Sequence, residues 1–146
     1  MIYKEKKMNL FDTDNDYILV HCISNDFEMS MGVSVYFTHM GIKKYLIDNY
    51  YNDWNHHGYC IITDIGRKTC NLVTKEKFWK KPTYKTLKES LEDMKIQLSK
   101  LKIKPLKIAM PVIGCGLDKL NWNKVKEIIQ DVFKYTDIEI LVCIYE

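Results

Sequence analysis

A chain of 146 residues, 47% hydrophobic and 28% charged, carries enough apolar material for a compact core, which excludes a disordered chain, and is too short for two ordinary domains. The longest apolar runs, YILVHCI and IEILVCIY, fall far short of the roughly 20 residues that cross a bilayer, and MIYKEKKMNLF lacks the unbroken apolar core of a secretory signal. The net charge of +3 excludes little, but eleven lysines between Lys75 and Lys107, against Glu76, Glu89, Glu92 and Asp93, make that half locally basic. The expectations are one domain over residues 1–146, a monomer, a cytoplasmic location and no membrane partner.

YILVHCI, from Tyr17, is a continuous β-prone run of the kind that becomes a strand covered on both faces. Helical spacing follows from about Val33 to Tyr50. GYCIITDI from Gly58 and TCNLVTKE from Thr69 are two short strands joined by a Gly-Arg-Lys turn, so Lys75 lies where the second strand ends. Leu87, Leu91, Met94, Leu98 and Leu101 step by four and three, which places them on one face of a helix over 84–101. KIAMPVIG, from Lys107, reads as a strand in which Pro111 marks an edge, a bulge or the strand end. Asn121 can cap the next helix, whose stripe is Val125, Ile128, Ile129, Val132 and Phe133, and IEILVCIY closes the chain as a strand. The order β, α, β, β, α, β, α, β points to an α/β fold, a three-layer sandwich.

Five cysteines, Cys22, Cys60, Cys70, Cys115 and Cys143, show no paired spacing, and four fall in apolar strands, as reduced core thiols do. The histidines are not spaced to complete a metal site with them. Gly114-Cys115-Gly116-Leu117-Asp118, between a strand and a helix start, can turn several N–H groups toward one spot, as phosphate oxygens require; a plain tight turn has the same signature. His21 and Ser24 end another strand, and Gly32 lies near the next helix start, a second place for an anion. A hydrogen-bonded core histidine is the competing account of His21, a solvated cation that of Lys75, and a helix cap that of Asp118.

At these residues the sequence resembles the macrodomain subgroup of terminal ADP-ribose protein glycohydrolases. The matching pieces are NLF (9–11), HCIS (21–24), MGVSVYF (31–37), LVTK (72–75), KPTY with the following helix (81–91) and PVIGCGLD (111–118), in the family's order. The resemblance implies a macrodomain fold, a three-layer α/β/α sandwich with a mixed central sheet, with ADP-ribose across the strand ends. It implies Lys75 and Asp118 as catalytic residues. It implies substrate contacts at Asn9, Leu10, His21, Ser24, Gly32, Val33, Ser34, Ile113, Gly114, Cys115, Gly116 and Leu117, with Tyr145 packing on the adenine, and no metal or redox cofactor.

The activity implied is removal of mono-ADP-ribose from glutamate or aspartate side chains, with O-acetyl-ADP-ribose as a further substrate. The distal ribose opens to an aldehyde, the amine of Lys75 attacks C1″ to form a Schiff base, and Asp118 moves the protons. The partners are ADP-ribose and ADP-ribosylated protein. A reader without turnover, or an enzyme acting on ADP-ribosylated nucleic acid bases, are the alternatives. Because a carboxylate in contact holds an amine in its charged form, Lys75 and Asp118 are expected to act through ribose hydroxyls or water rather than a tight ion pair. The departures from the family are Met8-Asn9 where Gly-Asp is usual, Ser30 and Met31 in place of smaller residues, and Val112 in place of an arginine. They bear on affinity and substrate preference more than on the chemistry.

Overall fold

The computed structural model describes residues 1–50 and 56–145. It contains strands β1 (Ile2–Lys7), β2 (Tyr17–Ser24), β3 (Tyr59–Ile65), β4 (Arg67–Lys75), β5 (Lys107–Met110) and β6 (Glu139–Ile144). The helices are α1 (Ser34–His39), α2 (Ile42–Asn49), α3 (Tyr84–Ser99) and α4 (Trp122–Phe133), with a 3₁₀ turn at Leu10–Asp12. One sheet takes the order β1-β6-β5-β2-β4-β3. All its neighbours are parallel except β3, which returns antiparallel to β4 through the tight turn at Gly66. The mixed sheet and three layers are those the resemblance implies.

Alternation along the strands sends side chains to two separate cores. Ile18, Val20, Cys70, Leu72, Ile108 and Met110 face α3 and α4, where they meet Leu87, Leu91, Met94, Leu98, Val125, Ile129 and Phe133. Leu19, Ile23, Ile61, Val73 and Ala109 face the other way, toward Phe37, Ile42 and Leu46 of α1 and α2. Leu91, Met94 and Leu98 are fully enclosed, so truncating any of them to alanine should cost about 2–5 kcal/mol. Thr83 opens α3 with a capping box closed by Thr86, and the Asn121 side chain accepts from Asn123 N–H and Lys124 N–H at the start of α4.

Two expectations change and a third narrows to one of its alternatives. The continuous helix from Val33 to Tyr50 is broken into α1 and α2 at Gly41, whose φ of 95° lies in the left-handed region. β1 is a strand that the pattern IYKEKK conceals, because as the edge beside β6 it leaves most of its side chains in water. Pro111 follows the last residue of β5, and β5 lies between β6 and β2, so the proline marks a strand end and not an edge. Among the described residues no helix is long and apolar enough to cross a membrane.

Candidate active site at the strand ends

Strands β2, β4 and β5 run parallel, so Ser24, Lys75 and Met110 finish at the same sheet edge. The segments that follow each of them wall a cavity of about 650 Å³. Register between β2 and β4 shifts at Ile23 and Ser24, which brings Ser24 opposite Lys75, and the N–H of Asn25 donates to Lys75 O at 2.8 Å. The shift holds the lysine backbone at the rim while its side chain reaches into the cavity.

Lys75 Nζ contacts Asp118 Oδ1 at 2.7 Å, with the two side chains only 15% and 16% exposed. The two side chains meet directly, so a route through ribose hydroxyls or water would have to open this pair. The glycine loop turns back on itself, with Cys115 N–H donating to Val112 O at 3.3 Å and Leu120 N–H to Gly114 O at 2.8 Å, and so delivers Asp118 to the strand end opposite Lys75. Gly114 has a φ of 73°, and a Cβ there would stand 3.0 Å from Leu120 Cδ1; only glycine fits without strain. On the other wall, Gly32, Val33 and Ser34 lead into α1, where Val35 N–H and Tyr36 N–H donate to Gly32 O at 3.2 Å and Val33 O at 3.1 Å.

Of the residues singled out in the sequence, Ser24, Gly32, Val33, Ser34, Lys75, Ile113, Gly114, Gly116, Leu117 and Asp118 line the cavity together. Five do not. Cys115 turns its thiol to Ile113 O at 3.3 Å. Asn9 accepts Phe11 N–H at 2.9 Å and thereby caps the 3₁₀ turn, leaving its side-chain oxygen occupied, and Leu10 is packed in the α1–α2 core. Tyr145 is exposed beyond β6.

The fifth, His21, is a core residue rather than a substrate contact. It is fully enclosed and stacked on Phe37 with ring centroids 3.7 Å apart. Its Nε2–H donates to Asn71 Oδ1 at 2.6 Å, while Asn71 Nδ2 donates to Ile61 O and Thr63 Oγ1. Burial pushes the imidazole down from 6.5 to about 4, so it stays neutral.

The cavity also has residues that the sequence argument passed over: Phe78, Trp79 and Lys80 in the segment after Lys75, and Lys119 beside Asp118. Two adjacent aromatics that fit neither strand alternation nor a helical stripe, directly after a strand-end lysine, were the available signal. Lys75, Lys80, Lys81 and Lys119 against Asp118 make the lining cationic, which suits a ligand with phosphate groups. Burial raises the thiol of Cys22, and it raises that of Cys115; both remain protonated at neutral pH and are poor nucleophiles. Among the described residues no group of three or more His, Cys, Asp or Glu is placed to hold a metal ion. What the site offers chemically is an amine and a carboxylate in contact at one point of an anion-attracting cleft.

No family model matches the chain. It is 40% identical over 139 residues to the ADP-ribose glycohydrolase OARD1 of Bos taurus, spanning 93% of this chain and 87% of that protein. OARD1 of Homo sapiens is 38% identical over the same shares. Among solved structures, the macrodomain of Thermus aquaticus DarG superposes with a TM-score of 0.85 at 21% identity, covering 97% of each chain.

Proposed function

This chain belongs to the macrodomain family, in the glycohydrolase subgroup that includes OARD1, and from that premise we propose that it hydrolyses mono-ADP-ribose esters of glutamate and aspartate through Lys75. The observation that carries the proposal is the 2.7 Å contact between Lys75 Nζ and Asp118 Oδ1 inside the cavity. The diphosphate would lie between the glycine loop and the start of α1, which directs the distal ribose toward the pair.

An ordinary lysine side chain is an ammonium at neutral pH and cannot attack carbon. Asp118, already in contact, takes its proton. The freed amine forms a bond to C1″ as the bond from C1″ to the carboxylate oxygen breaks, and the protein carboxylate leaves. The ribose ring opens to a protonated imine on Lys75: the ring oxygen receives the proton held by Asp118, and the carboxylate so restored takes one of the two protons on the newly bonded nitrogen. Water then adds to the imine, and its collapse releases ADP-ribose and restores the amine. In the resting state the ion pair holds Lys75 as an ammonium, and the nucleophile is free only once Asp118 has carried its proton off.

Release of ADP-ribose from a glutamate-modified protein by wild type, Lys75→Ala and Asp118→Ala, beside ADP-ribose binding by each, tests this. The proposal expects release to be lost in both variants while binding persists. A wild type that binds and releases nothing would make the chain a reader.

A further inference from the structure

We propose that residues 77–81, together with Lys119, form a second subsite at the cavity mouth that holds an acidic peptide segment carrying the modified carboxylate. This rests on the glycohydrolase reading above.

Position is the first argument. The segment begins two residues after Lys75, and Phe78, Trp79, Lys80 and Lys81 line the same cavity as the catalytic pair. A group joined to the reacting carbon at Lys75 therefore has this segment as a neighbouring wall. The segment is also fixed. Phe78 N–H donates to Asp26 Oδ2 at 2.9 Å, Lys80 N–H to Lys77 O at 3.0 Å, and Lys81 Nζ to Leu117 O at 2.8 Å. Asp26 also accepts from the Ser24 hydroxyl, so the segment is tied to both walls of the cavity.

A loop so anchored nonetheless shows water two large aromatic side chains, Phe78 at 48% and Trp79 at 66% exposure. Contiguous apolar surface beside a pocket marks a place where something else is covered. Around it stand four ammonium groups, Lys77, Lys80, Lys81 and Lys119, with Glu76 as the acid held by Lys80 at 2.9 Å.

The charge selects the occupant. Cleavage of an acyl ester expels a carboxylate, and ammonium groups at the exit stabilise that developing anion; a base released from a nucleic acid leaves neutral. Single-strand binding calls for open ring faces and a cationic track along several phosphates. Here Lys80 Nζ lies 5.6 Å from the Trp79 ring centre and occupies one face, and the cations are confined to one short segment and Lys119. A short acidic peptide, with aliphatic stems lying on Trp79 and Phe78, fits both features.

The test uses two peptides, each mono-ADP-ribosylated on one glutamate, flanked by Asp and Glu in one and by Asn and Gln in the other. Because both carry the same ADP-ribose, effects on its binding cancel in the ratio of their kcat/KM values. Wild type should prefer the acidic peptide on the order of tenfold at low salt, the preference falling toward one as salt screens the lysines. The Lys77→Gln/Trp79→Ala/Lys80→Gln variant should bring the low-salt ratio close to one, and Lys77→Gln alone, a change on an exposed side chain, should lower it in part.

Equal rates on the two peptides with wild type would overturn the proposal, as would a preference that survives the triple variant. Faster release from an ADP-ribosylated single-stranded oligonucleotide than from either peptide, lost in Trp79→Ala, would replace the peptide by a nucleic acid. Should wild type cleave neither peptide, the glycohydrolase reading fails by itself; the ratio of their dissociation constants then decides the subsite, equal constants overturning it.

Discussion

Strands β2 and β4 lie side by side and carry two polar pairs with opposite fates. In mid-strand His21 faces Asn71 in register, and three residues further along Ser24 faces Lys75. The first pair is closed: Phe37 roofs the imidazole, and the Asn71 amide is used up by His21, Ile61 and Thr63. The second is open, since Lys75 takes its partner Asp118 from a loop after β5 and both face a cavity. A polar residue in a strand becomes functional here by standing where the strand runs out; inside the ladder the same polarity is sealed from water and serves packing, even where a ring nitrogen, His21 Nδ1, is left without a partner.

That contrast is broken most forcefully by Lys75→Ala, which should lower kcat/KM for ester cleavage by roughly 10³-fold or more while moving the melting temperature by only a few degrees. His21→Ala should show the reverse, losing about 2–4 kcal/mol in urea denaturation through a cavity and an orphaned Asn71 oxygen, with kcat retained by the folded fraction. If His21→Ala abolished turnover in a stable protein, the division between closed and open pairs would be wrong.

Acid sharpens the comparison further. Folding lowers the His21 pKa from 6.5 to about 4, so between those values the unfolded chain binds a proton that the folded chain refuses. The contribution of this group to stability is therefore whole above pH 6.5 and is lost as pH falls toward 4, at up to about 1.4 kcal/mol per pH unit. Denaturation midpoints across that window should fall less steeply in a His21→Gln variant than in wild type. The smallest effect is expected at Gly114→Ala. A left-handed φ and a Cβ pressed on Leu120 should cost about 1–2 kcal/mol and weaken ADP-ribose binding several-fold, read by calorimetry.

Much of this was legible in the chain. The stripe from Leu87 to Leu98 announced α3, the apolar runs announced β2 to β6, and the glycines around Cys115 marked the turn that delivers Asp118. The edge strand β1 was not legible, because its charged residues alternate with little that is buried, and Gly41 hid inside a helical pattern that continues on both sides of it. Asn9, Leu10 and Tyr145 lie outside the cavity lining for a related reason: motif matching names positions, while capping by Asn9, burial of Leu10 and exposure of Tyr145 are decided in three dimensions. The segment bearing Phe78 and Trp79 drew no attention because loops have no period to read.

The most direct test of the central claim is to add a borohydride reductant during turnover of a glutamate-modified substrate and examine the chain by mass spectrometry. The account predicts an ADP-ribose-sized mass fixed on the peptide that contains Lys75, and no such mass with Lys75→Ala. Turnover that proceeds with no adduct on Lys75 under reducing conditions that trap a control imine would contradict it.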